Sequence, residues 1–178
     1  MPKTIAGAVV VREIVAREGT VYLTAKYAYK VFGANVNLDQ KIALYERAER
    51  EGVSVPDSSK FTVSLVDGAS TTVIRGIRTI LCGGRFFQLS KPGGEATLTR
   101  EINQITDKKI LKRVISGLEN AAALGVTDPQ GFIDPHRTPA IYFIDLHYTG
   151  NPNNVTFAEL LGQARARMVH LESVPEEV

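Results

Sequence analysis

The chain has 178 residues, of which 44% are hydrophobic and 22% charged, and its formal net charge is +2. This is ordinary globular composition, with enough length to bury a core, and it excludes a disordered or low-complexity chain. The charge is too small to predict nucleic-acid binding by itself, and the single cysteine, Cys82, excludes an intrachain disulfide or a Cys-based zinc centre.

The apolar run 5–11 stops at Arg12-Glu13, too short for a secretory signal. No stretch approaches the roughly 20 apolar residues of a membrane helix. The expected location is therefore cytoplasmic or virion-associated, with no membrane partner. Residues 20–32 alternate: Val21, Leu23, Ala25, Tyr27, Tyr29 and Val31 fall on one face, and Thr24, Lys26 and Lys30 on the other. That period of two predicts a half-buried strand, and β-branched residues 8–17 are read as its hairpin partner rather than as a helix.

Asn37 with Gln40 three residues on predicts a helix start; Leu38, Ile42, Tyr45 and Ala48 form its apolar stripe, and Gly52 ends it. Residues 60–90 read as short strands, turned at Asp67-Gly68 and again at Gly83-Gly84, with Gly76 expected at a bulge or bend. "KPGGEA" (91–96) reads as a closing loop, and "TLTREINQI" as a short helix of its own. Thr106 or Asp107 caps a long helix with Ile110, Leu111, Val114, Ile115, Leu118 and Ala122 inward and Gly125 at its end. "VTDPQGFIDPHRTP" reads as a proline-punctuated loop, and "AIYFIDLHY" as a strand. Thr156 with Glu159 predicts the last helix, with Leu160, Leu161, Ala164, Met168 and Leu171 on its core face. The expected fold is α+β: one domain over 1–178, with a mainly antiparallel sheet of five to seven strands and about three packed helices.

Three sets of residues can carry function. The first is a doubled pattern, FIDPH at 132–136 and FIDLH at 143–147. Strand alternation sets Asp145 and His147 on one face, and Asp134 and His136 share a face if their arm is extended. If "RTPA" folds the arms together, two imidazoles and two carboxylates can meet around zinc or manganese and activate water. The plain alternative is a polar strand face and an Asp-Pro turn. The second set is Arg75, Arg78, Arg85 and Lys91, in a stretch without acids and with Phe86 and Phe87 among them, a pattern that suits phosphate contact and base stacking. A solvated edge explains these cations more simply, so nucleic acid is not the favoured partner. The third is the tyrosine-rich ribbon 5–32, in which Tyr22, Tyr27, Tyr29 and Phe32 suit an interface with a neighbouring subunit or a core under the first helix.

No phosphate loop, dinucleotide fingerprint, G-x-S-x-G elbow or H-E-x-x-H is present. Cys82 reads as a structural thiol in an apolar strand. The reading these features favour is a non-enzymatic assembly or binding protein acting as a homo-oligomer, with no cofactor; a virus or phage structural component would suit it. The alternative is a metal-dependent hydrolase or nuclease using Asp134, His136, Asp145 and His147.

Overall fold

The computed structural model describes residues 1–16, 18–148 and 155–173. The class is α+β, as expected: four helices, a seven-stranded antiparallel sheet and smaller sheets are present among the described residues. The chain folds as two compact units, 1–45 with 56–81, and 46–55 with 82–178.

The first unit is built on the seven-stranded sheet. Its strands are β1 (Thr4–Ile5), β2 (Ala8–Val9), β3 (Arg12–Ala16), β4 (Gly19–Leu23), β5 (Tyr27–Phe32), β6 (Ser58–Asp67) and β7 (Ser70–Ile80), in the spatial order β2-β1-β6-β7-β5-β4-β3. The expected pairing of 12–16 with the next strand is present, Arg12 facing Leu23, but the single strand expected over 20–32 is two: the chain turns at Thr24, whose hydroxyl accepts from the Tyr27 amide, and β4 and β5 pair with Tyr22 facing Tyr29. The turn at Gly68 also forms where expected, with Asp67 opposite Ser70. Gly76 makes no bulge. It sits in unbroken register between Val31 and Phe61, and a Cβ there would lie 1.9 Å from the Lys30 carbonyl oxygen. Close backbone approach, not a bend, explains the glycine. Ile5, Tyr22, Tyr29 and Phe61 form one buried cluster, and Phe32, Leu38 and Ile77 form another. Helix α1 (Leu38–Arg50) starts at Asn37, whose side chain accepts from the Gln40 amide.

The second unit holds β8 (Arg85–Gln88), α2 (Gly94–Asn103), α3 (Lys108–Leu124), β9 (Val126–Thr127), β10 (Gln130–Ile133), β11 (Ile141–Ile144), β12 (His147–Tyr148) and α4 (Val155–Ser173). Helix α2 begins inside the stretch expected to be loop. Gly93 takes a left-handed φ of 80°, and a side chain on Gly94 would run into the Gln88 carbonyl. Helix α3 is capped as predicted: the Asp107 carboxylate accepts from the Lys109 and Ile110 amides, and Gly125 closes the helix at φ 75°. Its buried face is Leu111, Val114, Gly117, Leu118, Ala121 and Leu124, while Ile110, Ile115 and Ala122 lie at the margin. The Thr156 side chain of the expected capping box lies outside the described residues.

Part of the expected 126–139 loop is strand. β10 is the middle of a three-stranded antiparallel sheet, β11-β10-β8, with Gln130 opposite both Ile144 and Gln88. Pairing partners distant in sequence decide this, and Gly131 permits it: a Cβ there would lie 1.9 Å from the Tyr142 carbonyl oxygen. Phe87 and Phe143 lie on the covered face of this sheet, edge-to-face at 6.0 Å. Phe86 and Phe132 pair on its other face at 5.5 Å.

Candidate functional site

The ribbon aromatics are core. Tyr22, Tyr29 and Phe32 are buried inside the first unit, and Tyr27 packs edge-on against Tyr29. Burial also raises the Tyr22 phenol above its usual pKa. The exposed apolar side chains of the ribbon are instead Val9, Val11, Ile14 and Val15, along the sheet's margin.

The four cations are divided between the units, and the three arginines are already engaged. Arg75 donates to the Ala34 carbonyl, and Arg78 donates to the Ser59 hydroxyl while stacking 4.7 Å from the Tyr27 ring centre. With no bulge between them, the odd spacing of Arg75 and Arg78 sends them to opposite faces. In the second unit Arg85 pairs with the buried Glu101 at 3.0 Å, and Lys91 is exposed in the turn before α2.

The two Asp-x-His arms do fold beside each other, but antiparallel. Asp134 stands at the turn end, its amide donating to the Ala140 carbonyl, whereas Asp145 follows Ile144, the partner of Gln130, at the far end. At about 3.3 Å per residue this separates the two aspartates by roughly 15 Å, while metal ligands lie about 2 Å from a shared ion. Equivalent residues on antiparallel arms diverge, a consequence that the pattern FID-x-H conceals. Asp134 acts as a turn former: its carboxylate accepts from the His136 amide and pairs with Arg137 at 3.1 Å, leaving His136 exposed. The His147 side chain lies outside the described residues. Among those described, no three His, Cys, Asp or Glu side chains form a metal-ligating group.

The expected strand 141–147 also breaks. Asp145 adopts a left-handed φ of 49°. That residue shifts the alternation, so Ile141, Phe143 and Leu146 are all buried. Asp128 has the same backbone, φ 47°, between β9 and β10. Non-glycine residues adopt this conformation rarely, and Asp is among those that tolerate it.

These two aspartates stand at the same end of the three-stranded sheet. Gln88 and Gln130 are cross-strand partners there. The Gln88 amide donates to Asp128 at 2.9 Å, and the Gln130 amide lies 3.4 Å from the Asp145 carboxylate. β9 and β12 pair beside them, His147 opposite Thr127, which fixes both crossings. Two carboxylates and two carboxamides thus share one end of the sheet, and such oxygen donors suit hard divalent cations. Asp128 was hidden in the sequence because "TDPQG" has the look of a turn; only the pairing of β9 with β12 reveals it.

In the first unit the comparable polar feature is Lys30, on β5 in the string Tyr-Ala-Tyr-Lys. Its ammonium lies 3.7 Å from the Glu18 carboxylate, which also holds Lys41 of α1 at 3.1 Å. Cys82 follows the end of β7 rather than lying within a strand, and burial pushes its thiol up to about 11.

Compared with known protein families, curated proteins and solved structures, the chain has no match.

Proposed function

We propose that the chain is a phosphotransferase that draws its phosphoryl group from a nucleotide bound with a divalent cation. The observation that carries this reading is the pair Asp128 and Asp145, left-handed residues held at one end of the β11-β10-β8 sheet with Gln130 between them in sequence. Protein kinases hold Mg²⁺ through an Asp that follows a strand and an amide side chain of the catalytic loop, and a second Asp of that loop accepts the substrate proton.

Each residue takes its role from its place in its own unit. Asp145 and the Gln130 carbonyl oxygen would hold the cation, and Asp128 would orient the acceptor hydroxyl and take its proton. The bound cation would offset the charge of the phosphates. The likeness is one of order and placement. Gln130 follows Asp128 by two residues rather than the five of kinases.

Purified protein incubated with γ-labelled ATP and Mg²⁺ or Mn²⁺ tests the reading. Label should pass to the protein or to an added hydroxyl acceptor, and Asp145→Asn and Asp128→Asn should each abolish transfer. Turnover that survives both substitutions would remove the assignment.

Self-association is the second reading, in a narrower form than the tyrosine-rich ribbon suggested. Val11 and Val15 are 67% and 80% exposed, and β3 ends the strand order of the seven-stranded sheet. Such a margin can pair with the same strand of a second copy, as in a homo-oligomer or virion assembly. Light scattering decides it: a monomer at high micromolar concentration, unchanged by Val15→Lys, excludes assembly through β3.

A further inference from the structure

A second feature of the second unit is independent of the phosphotransferase reading. A cleft of about 470 Å³ opens along the first half of α3, against residues 52–54 and 139–141. Lys109, Lys112, Arg113 and Ser116 line its helical wall. They recur at i, i+3, i+4 and i+7, so they form one stripe along roughly 10 Å of helix. The floor is apolar, with Ile141 and Pro139 on one side and the buried Gly117 on the other. Gly117 packs close to Ile141: a Cβ there would sit in ordinary contact, 3.4 Å from the Ile141 side chain.

The charge in this cleft is one-sided. No Asp or Glu lines it, and all three cations are exposed. Three arginines elsewhere in the unit have carboxylates within reach: Arg85 has Glu101, Arg137 has Asp134, and Arg165 has Glu119. Like charges at i, i+3 and i+4 repel, which weakens a helix unless a counter-charge is supplied. The free amides at the start of α3 do not add to the site, because Asp107 already accepts from two of them. A wall of three cations over a small apolar floor matches a ligand with a phosphoryl head and a flat apolar body, and the volume lies within the range of small-molecule sites.

We propose that this cleft binds a small organic phosphate, with the phosphoryl oxygens on Lys109, Lys112 and Arg113 and the ring against Ile141 and Pro139.

Calorimetric titration at low ionic strength with phenyl phosphate, inorganic phosphate and a short single-stranded oligonucleotide tests it. Phenyl phosphate should bind about tenfold more tightly than inorganic phosphate, because only it uses the floor. The double variant Lys112→Glu/Arg113→Glu should weaken phenyl phosphate binding at least tenfold with a melting temperature no lower than the parent's, since both side chains are exposed and the like-charge repulsion is relieved. Ser116→Phe, which blocks the cleft without altering charge, should do the same. Asp145→Asn should leave the affinity as it was. The proposal is overturned if both cleft variants bind like the parent, if Asp145→Asn removes the binding, or if the oligonucleotide binds and phenyl phosphate does not.

Discussion

Replacing Glu101 with Gln should cost the protein less than removing the two arginines that face it. The Glu101 side chain is 4% exposed and meets Arg85 at 3.0 Å and Arg100 at 3.2 Å, both through Oε1. The arginines are 68% and 57% exposed. In Glu101→Gln the amide keeps an acceptor in place, and both guanidinium groups remain in water. The loss is a pair of charge-assisted bonds already weakened by solvent, about 1 kcal/mol. In Arg85→Ala/Arg100→Ala a carboxylate stays buried with neither cation, at about 3 kcal/mol. The difference of ~2 kcal/mol corresponds to roughly 4–8 °C in melting temperature for a chain of this size. Urea unfolding of the three proteins at neutral pH measures it. Equal losses, or a greater loss for Glu101→Gln, would refute the view that burial of the carboxylate dominates this cluster.

The remaining predictions concern packing, backbone and thiol. Phe143→Ala, in the core against Phe87 and Phe157, should cost about 3–5 kcal/mol in chemical unfolding, whereas Phe86→Ala, 49% exposed, should cost under about 1 kcal/mol. Gly131→Ala should destabilise far more than the half to one kcal/mol that a Gly-to-Ala change alters through chain entropy, because its Cβ would meet the Tyr142 carbonyl; a melting temperature at or above the parent's would refute this. Cys82, with its thiol pushed up to about 11 by burial, is protonated at neutral pH, so its alkylation rate should rise about tenfold per pH unit from 8 to 10; a plateau below pH 9 would contradict the assigned burial.

Local chemistry was legible in the sequence where local interactions decide. Asn37 and Asp107 announced their helices because an N-cap needs only its own next turn, and Asp67-Gly68 announced its hairpin for a similar reason. In the first unit alternation marked strand but not the turn at Thr24, where the expected strand 20–32 folds back on itself. What escaped was set by distant partners. β9 and β10 are too short and too rich in turn residues to read as strands, and exist because β12, β11 and β8 pair with them. Asp145 looked like a regular strand residue, since a left-handed backbone leaves no mark on an Asp. The ribbon aromatics looked available because periodicity gives a face but not what covers it.

The most direct measurement is calorimetric binding of ADP with Mg²⁺ to the parent protein and to Asp145→Asn, repeated with the metal chelated. The account predicts saturable, metal-dependent binding that falls at least tenfold in the variant. No binding at millimolar nucleotide, or equal binding in both proteins with and without metal, would contradict it.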